Sequence, residues 1–183
     1  MPMFRKVLLL EFVLVALVVG IALANEEAGV WIWPVDTSER VITSSQDVPR
    51  KYGPHEGVDI RARPLTRALA VADGVVVTVN VWNGKMGGMQ AYGNYVAIQL
   101  DSSHTVLYAH LSDFIVTVGQ RVRQGEVIGR TGYTGNARTA DGRPAPHLHI
   151  HATHPDAPPA YVFDQRIVNI QALLPKPDKI LLQ

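Results

Sequence analysis

Residues 73–110 read DGVVVTVNVWNGKMGGMQAYGNYVAIQLDSSHTVLYAH. Val75–Val81, Tyr95–Leu100 and Thr105–His110 within it are rich in Val, Ile and aromatic residues, a composition that predicts strands. Asp73-Gly74, Asn83-Gly84 and Gly87-Gly88 separate them as turn signals. Outward from this stretch, Leu69–Val71, Glu126–Gly129 and Leu148–Ala152 have the same character, with Gly119-Gln120 and Gly125 as punctuation. Strands so closely spaced predict a mainly β chain, an antiparallel β-sheet, sandwich or barrel-like core, rather than alternating βαβ units. Two longer stretches, Trp82–Tyr92 (WNGKMGGMQAY) and Asn136–Pro146 (NARTADGRPAP), predict loops that either wall a site or are tolerated surface insertions. The tail, 161–183, carries one short amphipathic segment, Ile167–Leu174, stopped by Pro175 and Pro177. It is expected to pack on the domain and to carry no chemistry.

The chain has 183 residues, of which 47% are hydrophobic and 18% charged, enough to bury the core of one domain. Lys+Arg of 17 against Asp+Glu of 16 leaves a net charge of +1, so no basic excess argues for a nucleic-acid partner. With no cysteine, a disulfide framework, a zinc ribbon, an Fe–S cluster and thiol catalysis are all excluded. Any metal must be held by histidine, carboxylate or water. At the N-terminus, Arg5 and Lys6 precede an apolar run from Val7 to Ala24 interrupted by Glu11, ending in Ala22-Leu23-Ala24. This is the pattern of a secretory signal peptide over 1–24, with an uncleaved membrane anchor as the alternative. Residues 25–160 then form the exported domain.

All seven histidines fall between His55 and His154. His55-Glu56-Gly57-Val58-Asp59 is a His-x-x-x-Asp pair, a spacing that chance alone supplies roughly 0.4 times in such a chain. His147-Leu148-His149 is a His-x-His pair extended to His151. On a strand, residues two apart share a face, so these three imidazoles would project into one space. Buried, they need hydrogen-bond partners or a metal; exposed, they are an inexpensive solvated face. Two His and one Asp leaving an open position for water is the pattern of a catalytic zinc site, whereas Ca²⁺ would want more oxygen ligands.

Read together, these segments resemble the M23 family of zinc metallopeptidases, the lysostaphin- and LytM-type endopeptidases that cut peptidoglycan peptides. The blocks that carry the resemblance begin with His55-Glu56-Gly57-Val58-Asp59-Ile60, Ala72-Asp73-Gly74-Val75-Val76 and Tyr92-Gly93-Asn94-Tyr95-Val96. They continue with Tyr108-Ala109-His110-Leu111-Ser112, Val118-Gly119-Gln120-Arg121-Val122, Gly125-Glu126-Val127-Ile128-Gly129, Thr134-Gly135 and Pro146-His147-Leu148-His149. They keep the family's order over residues 40–152. The resemblance implies a lysostaphin-type fold with a substrate groove walled by loops. It implies Zn²⁺ held by His55, Asp59 and His149, with His110 and His147 as the two catalytic histidines. It further implies peptidoglycan peptides as substrate, membrane contact only through an uncleaved leader, and action as a monomer.

No Glu lies in a His-Glu-x-x-His arrangement, so the base is not a thermolysin-type glutamate; Glu56 follows His55 on a Gly57-bearing turn of unknown direction. Three departures from the family stand out. His151 replaces the commoner Glu two after the last ligand, and reads as a partner of the site, a substrate contact or a neighbour on that face. The segment between Thr134-Gly135 and Pro146 is longer than usual. The segment Ser44–Tyr52 is compressed, leaving Tyr52 as a candidate transition-state tyrosine or an ordinary surface residue. His104 and His154 read as surface residues.

Two other classes compete. A non-catalytic relative that activates wall amidases would lack at least one of His55, Asp59, His110, His147 and His149, and all five are present. The run Val116–Gly129 also resembles hairpins of biotinyl, lipoyl and phosphocarrier domains. Gly119–Gly125, however, has no Lys to modify, and a phosphocarrier belongs in the cytosol, against the leader.

Overall fold

A computed structural model describes residues 30–50, 53–102, 104–154 and 167–181. The leader, Lys51, Tyr52 and the Pro-rich stretch 155–166 lie outside them. The strands are β1 (Val41–Ser44), β2 (Pro49–Arg50), β3 (Gly53–Pro54), β4 (Val58–Arg61), β5 (Arg67–Leu69) and β6 (Gly74–Asn80). They continue with β7 (Asn94–Leu100), β8 (Thr105–Phe114), β9 (Arg121–Val122), β10 (Val127–Thr131), β11 (His147–Thr153) and β12 (Lys179–Ile180). One short helix, α1 (Ile170–Leu173), follows β11, with Asn169 as its N-cap accepting from the Ala172 amide.

Ten strands join one hydrogen-bonded sheet in the order β12-β1-β4-β11-β8-β7-β6-β9, and β10 bridges β8 to β5 off this path. All its pairings are antiparallel except β1 with β12. The mainly β expectation therefore holds, with a single continuous sheet where a sandwich would have two. β2 and β3 form a separate two-stranded ribbon.

Period-2 alternation divides the central strands cleanly. Leu148, Ile150 and Ala152 of β11, Val58 and Ile60 of β4, and Val106 and Tyr108 of β8 are fully buried in the main core. The Tyr108 hydroxyl satisfies itself there by accepting from the Val71 amide at 2.9 Å. On the alternate positions lie His147, His149, His151 and Asp59, flanked by a smaller apolar cluster of Tyr92, Tyr95, Leu107 and Ala109. The middle of the sheet thus has an apolar face and a histidine-bearing face.

Within the described residues 167–181, Ile170 is fully buried in this core, the Val168 amide donates to Ala152 O, and β12 lengthens the sheet at β1.

Candidate metal centre and active site

The register of three strands assembles the site. Asp59 of β4 lies directly opposite His149 of β11, and His149 lies opposite Ala109 of β8. Opposed residues of an antiparallel pair share a face with Cβ atoms about 5 Å apart, so the ladder itself brings the carboxylate to the imidazole. His55 arrives from the chain just before β4. Between the two, Gly57 lets that chain lie against β11: a Cβ there would meet Ile150 O at 2.2 Å and His151 Cβ at 2.7 Å.

His55, Asp59 and His149 are all buried, and their donor atoms form one cluster. His55 Nε2 is 3.0 Å from His149 Nδ1; Asp59 Oδ1 is 3.1 Å from the first and 3.0 Å from the second. This near-equilateral triangle fits zinc: an ion about 2.0–2.1 Å from each donor would keep a fourth, open tetrahedral position. The ring protons are placed to leave those lone pairs available. His55 Nδ1–H donates to Ser45 O at 2.8 Å, so its Nε2 is a bare acceptor. His149 is turned the other way, offering Nδ1 to the triangle and Nε2 to His151.

Burial opposes ionisation of Asp59, but the His149 and His55 rings within hydrogen-bond distance, with the neighbouring His147, outweigh it and hold the carboxyl well below its usual range. Asp59 Oδ2, facing away from the triangle, accepts from the Arg50 guanidinium at 2.8 Å, and the same nitrogen donates to Ser44 Oγ. Arg50 thereby fixes which carboxylate oxygen is free for a metal.

His110 and His147 flank the triangle, their ring centroids 4.8 Å apart. His147 Nδ1–H donates to Ala145 O at 2.7 Å and its Nε2 lies 3.5 Å from Asp59 Oδ1. His110 Nδ1–H donates to Thr134 O at 2.8 Å. Each ring therefore keeps Nε2 as its acceptor. His110 has a φ of 60°, a left-handed conformation that is uncommon outside glycine, although His adopts it more often than most residues. It falls where β8 leaves β11 and its register against β7 shifts, so the strain goes into aiming the ring. Burial, then the charges of His147 and His149, push its pKa well below the ordinary value.

The loops meet beside these histidines. Gly88–Tyr92 is a 3-10 turn, and Tyr92 is carried against His149 and His151, with ring centroids 5.5 and 5.4 Å apart. Its hydroxyl donates to Glu56 at 2.5 Å. Burial pushes the Glu56 carboxyl up against that bond, and Glu56 stands outside the donor cluster. The longer insertion folds back on itself: Ala145 N–H donates to Ala137 O, and Asn136 N–H ties it to Ala91 O of the other loop. Thr134 Oγ accepts from the Asn94 amide and donates to Leu111 O, locking the carbonyl that holds His110.

The five residues named for the site thus converge. Arg50, Tyr92 and Thr134 join them; the latter two stood in recognised sequence blocks, Arg50 in the compressed segment, and none carried a metal-ligand signature. His151 is buried, and burial drives its pKa well below the ordinary value. His154 is exposed as expected, whereas His104 is half-buried, its ring 6.0 Å edge-on from Trp31. The reason is that the β7–β8 turn carrying His104 lies against the N-terminal Trp31 segment. Tyr52 lies outside the described residues.

Residues 53–159 match Peptidase family M23, a span holding all five site residues. The chain belongs to peptidase family M23. This M23 chain is 33% identical over 123 residues to peptidoglycan DD-endopeptidase ShyA of Vibrio cholerae, covering 64% of this chain and 25% of ShyA. The crystal structure of a zinc-containing peptidase from Vibrio cholerae superposes with a TM-score of 0.57 at 28% identity, over 71% of this chain and 38% of that one. The catalytic domain of lysostaphin, an antimicrobial peptidase from Staphylococcus simulans, superposes with a TM-score of 0.50 at 27% identity, over 64% of this chain and 80% of that domain. The chain spans a fifth to a quarter of the length of the curated relatives it matches.

Proposed function

We propose that this M23 chain is a zinc endopeptidase that hydrolyses peptide bonds of peptidoglycan cross-links or stem peptides outside the cytoplasm. His55, Asp59 and His149 hold the ion, and His110 and His147 do the proton work. The carrying observation is the 3.0–3.1 Å triangle of His55 Nε2, Asp59 Oδ1 and His149 Nδ1 with two further imidazoles beside it, each with its Nδ1–H committed to a carbonyl. Zinc supplies Lewis acidity there, activating water and polarising the scissile carbonyl.

The remaining chemistry belongs to the chain. A neutral histidine whose Nδ1–H is tied to a carbonyl can only accept at Nε2. The ring that takes the proton of the attacking water becomes a donor at that same atom. It can then hydrogen-bond the tetrahedral oxyanion or return the proton to the leaving amine. Ala145 O and Thr134 O keep both rings in the required tautomer through the cycle.

Peptidoglycan as substrate is supported by the kinship with ShyA, and an extracytoplasmic site of action by the leader pattern of 1–24. The amidase-activator reading is disfavoured because all five residues are present and converge. Purified protein should contain one zinc per chain, lose activity to a chelator and regain it with zinc. Digestion of sacculi of several wall chemistries, with mass analysis of the fragments, identifies the bond; release of no peptide fragment from any of them refutes the endopeptidase reading.

A further inference from the structure

His151 holds a position in the site that the metal and proton chemistry above leaves unexplained. It is 1% exposed, and its Nδ1 lies 3.1 Å from His149 Nε2. Its own Nε2 is buried with no hydrogen-bond partner among the described residues. The contact to His149 is therefore the polar interaction that justifies an imidazole at this place, since an orphaned buried nitrogen is unfavourable and an apolar side chain would avoid it.

A histidine that gives one nitrogen to a metal carries its proton on the other, and that N–H needs an acceptor to fix the tautomer and the ring plane. His55 meets this need through Ser45 O. His149 is reversed: Nδ1 is the atom 3.0 Å from both Asp59 Oδ1 and His55 Nε2, so Nε2 must bear the proton once Nδ1 binds a metal. The group facing that proton is His151 Nδ1. Gly57, between His55 and Asp59 in sequence, lets that chain lie close against β11 beside His151: a Cβ there would sit 2.7 Å from His151 Cβ.

We propose that His151 is a positioning residue whose Nδ1 accepts the Nε2–H of His149 and thereby commits His149 to metal binding through Nδ1. This rests on the reading of His149 as a zinc ligand. A packing role for His151 would need only its volume; the proposed role needs an acceptor at one atom.

Two variants separate these. In His151→Asn, Oδ1 is reached through the same Cβ–Cγ path as Nδ1 and can accept. In His151→Leu the same space is filled with no acceptor. The measurement is zinc affinity by competition with a chromogenic chelator, beside the melting temperature of each metal-free protein. His151→Leu should bind zinc about 10- to 100-fold more weakly, while His151→Asn stays within about threefold of wild type. Equal affinity in His151→Leu and wild type, or equal loss in both variants, overturns the proposal. If His151→Leu does not fold, nitrogen-15 spectra of the zinc-loaded wild type decide instead. Protonation of both His149 and His151 on Nε2, with His151 Nδ1 bare, supports it; a proton on His151 Nδ1 overturns it. Failure of the wild type to bind zinc, or full zinc affinity in His149→Ala, would instead refute the underlying ligand assignment.

Discussion

His110 tests the division between ligand and catalyst, because its backbone and side chain make opposite demands. A φ of 60° favours glycine, and a strained residue of this kind costs about 1–3 kcal/mol. His110→Gly should therefore be more stable than His110→Ala by on the order of 1 kcal/mol in denaturant unfolding, with both inactive. Equal stability would mean that the conformation is not strained. Activity and metal content should separate in the same experiment. His149→Ala and Asp59→Ala remove donors and should lose zinc together with turnover. His110→Ala and His147→Ala should keep zinc while kcat falls on the order of 10²-fold or more. Zinc loss in His147→Ala with retention in His149→Ala would reverse the two roles. Spacing alone offered only a His-x-x-x-Asp pair and a histidine face; the ordered blocks turned these into five named residues. What stayed illegible were partners without a side-chain signature. Ser45, Thr134 and Ala145 fix three tautomers through backbone carbonyls, which any residue possesses.

Strands β4, β11 and β8 are where fold and site are the same fact. Each puts apolar residues on one face and the histidine-side residues on the other, so a one-residue slip of β11 would bury His149 in the core and turn Leu148 toward Asp59. Gly57 holds that register close. Gly57→Ala must displace either Ile150 O or the approach of His55, and should lose on the order of 1–3 kcal/mol of stability together with zinc affinity. Normal zinc binding in that variant would mean that the close approach is not needed. Strand segments with Val, Ile and aromatic runs were legible, and β6, β7 and β11 match them to within one residue. β8 runs four residues past the expected His110 because Leu111–Phe114 pair with β10. Strands β1, β4, β9 and β12 are not legible in the sequence because two to four residues carry too little periodicity; their pairing is decided by partners distant in sequence, as Val41 with Lys179 shows.

At the scale of the whole molecule, four histidines and an aspartate are buried beside a sheet whose opposite face packs the main apolar core. Zinc binding the folded site should stabilise the molecule by linkage, about 2.7 kcal/mol at a free concentration 100 times Kd. For a chain of this size that corresponds to a rise in melting temperature on the order of 5–10 °C, measurable by calorimetry with and without chelator. Protons should act in the opposite sense on the metal-free protein. Burial keeps His110 neutral by pushing its pKa well below the ordinary value, whereas in the unfolded chain it titrates near about 6.5. Below that pH the unfolded state binds the additional proton, so the stability contributed by the neutral ring is complete above about 6.5 and is lost as pH falls toward the depressed folded value. The denaturant midpoint of the metal-free protein should thus decline between about pH 7.5 and 5.5. His110→Asn removes the titrating ring and retains a side chain tolerant of the left-handed conformation, so its decline over the same range should be shallower. An unchanged slope in that variant would place the acid sensitivity in groups other than His110.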